Sequence, residues 1–271
     1  MRGSVRNILD SIGKRTDVCF RVVFADGSSF QNREGEPLVT VRFKSRRAEL
    51  RIALFGHVGL LESYFDQSLD IEGDIAAAFR AAMDSGFDKG TNLLIRLRNR
   101  WHEWRFSNRS LAQAKRNAEF HYALGTDFYR LWLDRVGMMY TCAYWKEGTG
   151  NLEEAQWNKM EHVCRKIRLQ PGDSVADIGC GWGGFMFHAH RHHAARCSGY
   201  NATGEQVESL RRMISEHDLR DVLSVSECDF REVPGGFDKC ASIGVLEHAG
   251  RDQLPETIRA MAKVLKPGGL G

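Results

Sequence analysis

The stretch SVADIGCGWGG, Ser174 to Gly184, constrains the fold of this chain more than any other. Val175 and Ala176 read as the buried end of a strand, with Asp177 at its tip. Gly179, Gly181, Gly183 and Gly184 then fill a turn before FMFHAH, which reads as helix. Glycine belongs where the backbone takes positive φ or must approach a ligand closely, and the amides opening the next helix present the positive end of its dipole. Strand, glycine turn and helix in that order predict a nucleotide-type cofactor at the edge of a doubly wound α/β sheet.

The flanking sequence supports such a sheet. NLEEAQWNKMEHVCRKIRL is a helix begun at Asn151 and stopped by Pro171 and Gly172. After it come SVADIG, a helix through His193, RCSGYNA, GEQVESLRRMISEH, VLSVSECDF, DKCASIGVL and QLPETIRAMAKVLK. Alternating strands and helices call for a parallel sheet covered on both faces. Four strands are expected, because the sequence reaches KPGGLG where a helix followed by Pro-Gly-Gly normally leads into a further strand, and a C-terminal part of the domain is expected to be missing. Ahead of this domain, DVCFRVVFADGSSFQ carries a hairpin signal at Asp26 and Gly27, and PLVTVRFKS adds a strand. A turn over 56–59 and an Ala-rich helix starting near Asp74 complete a small α+β domain over 1–90.

Residues 91–118 form a basic, aromatic connector. Arg96, Arg98, Arg100, Arg105, Arg109, Lys115 and Arg116 stand against Glu103 alone, interleaved with Trp101, Trp104 and Phe106. Two readings stand side by side: a segment lying on an anionic bilayer surface, or a connector whose tryptophans pack and whose arginines are solvated. A net charge of +3 commits the protein to no nucleic acid. No apolar run approaches a membrane span, and the first twenty residues lack the apolar block of a signal peptide. The expectation is a cytoplasmic protein, any membrane contact being peripheral to the inner face. Seven scattered cysteines, never spaced as C-x-x-C, argue against a zinc site or a disulfide framework.

Gly179, Gly181 and Gly184 satisfy G-x-G-x-x-G, which by itself fits a dinucleotide or S-adenosylmethionine. A dinucleotide site expects an acid about twenty residues on, and Asn201 occupies that strand tip. Asp177 before the turn, with Asp229 and Glu247 expected at the ends of the next two strands, favours a methyltransferase sheet.

FHYALGTDFYRLWLD, MMYTCAYW, LEEAQWNKMEHVCRKIRLQPGDSVADIGCGWGG, GYNATGEQ and SIGVLEHAG closely resemble the cyclopropane-fatty-acyl-phospholipid synthases and their mycolic acid relatives. The resemblance runs from about Phe120 to the end, and GLLESYFDQSLDIEG, Gly59 to Gly73, is similar to the family's amino-terminal domain. It implies a Rossmann-like class I methyltransferase domain over 119–271 that uses S-adenosylmethionine. The reaction implied is transfer of a methylene group to the cis double bond of an unsaturated phospholipid acyl chain, at a membrane surface and from a possible homodimer. By the family's pattern Tyr140 and Thr141 close over the cofactor. Asp177, Gly179, Gly181 and Trp182 meet its methionine end, Asn201, Ala202 and Gln206 its ribose, and Phe230 its adenine. The family more often has Thr-Leu at Asn201 and Ala202, and Trp or Tyr at Phe230, which can equally be a core residue.

The resemblance further implies a bound bicarbonate as the base that removes a proton from the new methyl, with Cys142 and Glu247 as matching catalytic positions. The family's His and Tyr are expected past a strand following Gly271, and a 271-residue chain, if complete, is expected to have little cyclopropanating activity. His248, taken as a strand-end neighbour of Glu247, is expected to point elsewhere. Two other classes stay open: a methyltransferase of the same fold on another lipid or small molecule, and an inactive cofactor- or lipid-binding fragment. FHAHRHH invites a metal reading through His188 and His192, but no third ligand is spaced for it, so no metal site is expected and a solvated basic face is.

Overall fold

The computed structural model describes residues 2–86, 97, 100–101, 104–250 and 253–271. The chain divides into two units, Met1–Arg105 and Phe106–Gly271.

In the first unit, helix α1 (Arg2–Gly13) precedes a sheet of order β2-β1-β3-β4. Strands β1 (Phe20–Val23) and β2 (Ser29–Gln31) form the antiparallel hairpin, closed where Phe24 N donates to Ser28 O at 2.8 Å. Strand β3 (Val39–Phe43) runs parallel to β1, and β4 (Leu69–Gly73) antiparallel to β3. Val18, Phe20, Val22 and Phe24, alternate residues of the first run, are all buried, as one face of a strand requires. They pack with Val39, Phe43, Leu69, Ala77 and Ala81. Helix α2 (Arg46–Phe65) is capped by Ser45, and Gly56 (φ 58°, ψ −131°) kinks it, so the turn expected over 56–59 lies inside a helix. Helix α3 (Ile75–Asp84) starts where expected, the Asp74 carboxylate accepting from the amides of Ala76 and Ala77.

The second unit is a five-stranded parallel sheet of order β7-β6-β5-β8-β9. Its strands are β5 (Ser174–Ile178), β6 (Arg196–Asn201), β7 (Leu223–Glu227), β8 (Phe237–Ala241) and β9 (Leu265–Leu270). In chain order this reads 3-2-1-4-5, the doubly wound pattern. Two expectations are corrected. The four-strand count falls short because LKPGGL, expected only to lead into a strand, is itself β9, parallel to β8 through a register shift. And β8 ends at Ala241, so SIGVLEH leaves the sheet and Glu247 lies in a short helix, Leu246–Ala249, rather than at a strand end. Strand alternation therefore has no bearing on His248.

Helices cover both faces of this sheet. Val175, Cys197, Val225 and Ala241 pack under α6 (Leu152–Lys166), α7 (Gly184–His193) and α8 (Gly204–Glu216). The intervening Ala176, Ile178, Tyr200 and Cys240 pack with Val233 and with Val264 of α10 (Leu254–Val264), α9 being the short helix that holds Glu247. Helices α4 (Leu111–Tyr122) and α5 (Gly125–Arg130) precede them. Of the connector expected over 91–118, Arg96, Arg98 and Glu103 lie outside the described residues. Trp101, Trp104 and Phe106 are exposed, and Lys115 pairs with Glu227 at 2.5 Å. Among the described residues, no helix is long and apolar enough to cross a membrane.

Candidate active site

A cavity of about 360 Å3 opens at the carboxyl ends of the strands. It is lined by Asp177 to Trp182 after β5, Tyr200 to Ala202 after β6, Cys228 to Phe230 after β7 and Ile243 to Val245 after β8. That edge, where the strand order reverses beside β5, is where doubly wound sheets hold ligands. Tyr140, Thr141, Asp177, Gly179, Gly181, Trp182, Asn201, Ala202, Gln206 and Phe230, the residues expected at the cofactor, all line it.

Asp177 and Gln206 carry its polar chemistry. Asp177 is buried, its Oδ2 has no hydrogen-bond partner among the described residues, and burial pushes its carboxyl up to about 7. Gln206 is also buried. Its Oε1 accepts from Asn201 Nδ2 at 2.8 Å and Thr203 Oγ1 at 2.6 Å, which leaves its Nε2 unpartnered. Asn201 Oδ1 in turn accepts from the Thr203 amide. Buried polar groups normally find partners, and an unmet one costs roughly 1–3 kcal/mol. Two such groups in one cavity wall make it a polar receptor.

The turn itself is held tightly. Gly179 has φ +76°, and a Cβ there would fall 2.1 Å from Val245 Cγ2, so no larger residue fits. The buried Trp182 donates its indole N–H to Thr126 Oγ1 at 3.0 Å, and Thr126 donates from amide and hydroxyl to Glu205 Oε1 at 2.7 and 2.9 Å. Tyr129 packs on Trp182 with centroids 5.1 Å apart, Tyr122 at 6.1 Å, and His121 stacks on Tyr140 at 5.7 Å. Burial raises the Tyr122 phenol to about 12, with Tyr129, Tyr140 and Glu247 adding to it. The Met139–Thr141 segment is fastened by α6: Gln156 Nε2 donates to the carbonyls of Met139 and Thr141 at 3.1 and 3.0 Å, and Lys159 Nζ to Thr141 Oγ1 at 2.5 Å. Burial lowers the Lys159 ammonium to about 8. Phe230 is half-buried and plays both expected parts, lining the cavity and packing against the Tyr200–Val233 core.

Cys142 and Glu247 are placed differently. Both are exposed, and neither is among the cavity-lining residues. Their loops do meet: a Cβ on Gly244 would lie 2.1 Å from Thr141 Cγ2 and 3.6 Å from Glu247 Oε1. His248, set aside at the sequence level, does line the cavity, 5.4 Å from His121 between ring centroids, while its carbonyl accepts from Asn108 Nδ2 at 2.5 Å. His121, Tyr122, Gln156 and Lys159 were missed. Each acts from a helix whose periodicity marks a face but not what that face meets.

The FHAHRHH helix departs from expectation as well. His188 is buried rather than solvated, and α6 supplies what no spacing within the helix could: the ligand atoms of Cys164, His188 and His193 lie within 4.8 Å of one another.

Comparison with known proteins fixes the family. The family described as mycolic acid cyclopropane synthetase matches residues 109–270. The chain belongs to that family. Among its relatives, a probable fatty acid methyltransferase of Pseudomonas putida is 31% identical over 252 residues, covering 92% of this chain and 62% of that protein. The cyclopropane-fatty-acyl-phospholipid synthase of Escherichia coli (strain K12) is 29% identical over 239 residues, covering 87% and 60%. The chain thus spans less than two thirds of the length of either relative. Among solved structures, the cyclopropane synthase MmaA2 from Mycobacterium tuberculosis aligns with a TM-score of 0.55 at 32% identity, over 58% of this chain and 55% of that one. Mycolic acid cyclopropane synthase CmaA1, complexed with SAH and CTAB, aligns with a TM-score of 0.53 at 28% identity, over 56% and 53%. The second unit has the Rossmann-like methyltransferase fold.

Proposed function

We propose that the chain is the cofactor-binding part of an S-adenosylmethionine-dependent enzyme that adds a methylene group across the cis double bond of an unsaturated phospholipid acyl chain. The observation that carries this reading is the unpartnered Asp177 carboxylate in the cavity wall. A buried acid without a partner favours a cationic ligand and opposes a diphosphate, so it fits the ammonium and sulfonium of S-adenosylmethionine better than a dinucleotide. Gln206 offers a free N–H donor to a ribose hydroxyl, and Phe230 a ring face to adenine. When bound, S-adenosylmethionine supplies an electrophilic methyl on a good leaving group.

The chain's own residues supply the surroundings. Trp182 and the Tyr122 and Tyr140 rings wall the cavity with π faces, with Tyr129 packed on Trp182, and such a wall tolerates positive charge and excludes water. Gln156 and Lys159 hold Tyr140 and Thr141 at its mouth. Bicarbonate fits less well, because Cys142 and Glu247 stand exposed outside the lining. A methyltransferase acting on a fatty acid is the second reading, favoured by the name of the Pseudomonas putida relative.

Calorimetric titration with S-adenosylhomocysteine tests the first step; well-folded protein giving no heat would sink both readings. Incubation with unsaturated phospholipid vesicles and S-adenosylmethionine tests the second. A ring product adds one CH2 without consuming hydrogen, and a hydroxylated or saturated branched product identifies the other chemistry.

A further inference from the structure

A second cluster of reactive side chains lies between α6 and α7, on the side of the sheet they cover. Glu161 and Cys164 sit one turn apart on α6, facing His188 and His193 of α7. The ligand atoms of Cys164, His188 and His193 lie within 4.8 Å of one another. Glu161 Oε2 is 2.9 Å from His193 Nε2 and 3.5 Å from His188 Nε2. Cys164 and His188 are buried, while the His193 and Glu161 side chains keep about a fifth of their surface, which leaves a way in from solvent.

We infer that Glu161, Cys164, His188 and His193 form a structural site for zinc or a similar borderline-soft divalent ion, joining α6 to α7. The donor set is one thiolate, two imidazoles and one carboxylate, the types zinc takes in closed tetrahedral sites. Thiolate and carboxylate together balance a divalent charge, so the loaded site is neutral where solvent is scarce. Tetrahedral zinc bonds of about 2.0–2.3 Å put donor atoms roughly 3.3–3.6 Å apart. The Cys164, His188 and His193 atoms close to that spacing by movements of about 1 Å, and Glu161 already lies within 3.5 Å of both histidines. On coordination the Cys164 thiol proton leaves to solvent and sulfur bonds the metal. The exposed neighbour His192 touches the cluster through ring packing, 4.6 Å from His188 between centroids, and serves as a control.

The test is metal content and cobalt spectroscopy on the full chain. Protein dialysed against zinc and then against buffer is expected to retain one equivalent. Cobalt in its place is expected to give tetrahedral d–d bands with a thiolate-to-cobalt charge-transfer band. Cys164→Ser should abolish the charge-transfer band, and Cys164→Ser and His193→Gln should each weaken zinc binding at least about 100-fold, beyond the 10–100-fold typical of outer-shell changes. Circular dichroism and S-adenosylhomocysteine binding confirm that each variant is folded. No retained metal, or binding lost with His192→Gln but unchanged by Cys164→Ser, would mean that only exposed histidines chelate, and would overturn the assignment.

Discussion

Asp177 is the residue on which most turns. Its carboxyl keeps its proton to about 7 in the folded chain, whereas an unfolded one releases it near 3.9. Between those limits the folded state binds the extra proton, so this group's contribution makes stability fall as pH rises from about 4 to about 7. Asp177→Asn removes that slope. Its melting temperature relative to the parent should climb between pH 5 and 8, by the equivalent of about 2–4 kcal/mol; a constant difference across that range would contradict the burial argument. The same substitution should weaken S-adenosylhomocysteine about 10- to 100-fold, because the carboxylate then no longer meets a cation. Gln206→Leu should cost about 10-fold in the same titration through its single unmet donor. Asp177 was legible as a strand tip before a glycine turn. Gln206 was legible only through the family's pattern, because its role depends on Asn201 and Thr203 holding its oxygen.

At the scale of elements, α6 holds the mouth of the cavity and α8 props the turn. Lys159→Met keeps the stem of the side chain but deletes the donor to Thr141, so Tyr140 and Thr141 lose an anchor. The expected result is faster ligand release, read by stopped-flow, with a near-normal melting temperature. Leu210 of α8 is fully buried, and a Cβ on Gly183 would fall 2.4 Å from its Cδ1. Leu210→Ala should therefore destabilise by about 2–5 kcal/mol and weaken ligand binding as well, since the turn loses its floor. Helix starts at Asn151 and Asp74 were legible because a side chain that accepts from the first-turn amides marks them. The end of β8 was not. SIGVLEH is apolar enough to read as strand, and only the glycine at Gly244, packed under Thr141, shows where the chain turns away. Strand β9 was hidden by its Pro and two Gly, residues that normally argue against a strand but are tolerated at an edge.

At the scale of the molecule, each unit has its own core, and every residue lining the cavity falls between Asn108 and Ala249 in the second. A fragment beginning at Phe106 is expected to bind S-adenosylhomocysteine with the affinity of the whole chain; a loss of 10-fold or more would show that the first unit shapes the cavity. The doubly wound class was legible because strand and helix patterns alternate from Asn151 onward except where VLSVSECDF and DKCASIGVL follow one another, whereas the Cys164–His188–His193 cluster was not, its members being brought together by helix packing that no linear spacing records. The thiols add a practical consequence. Cys164, Cys180, Cys197 and Cys240 are buried, and burial holds their thiols well above the ordinary range, while Cys142 stands exposed beside cavity-lining Thr141. A maleimide dye added at limiting concentration will therefore mark Cys142 first, giving a fluorescent reporter at the cavity rim without any engineered cysteine.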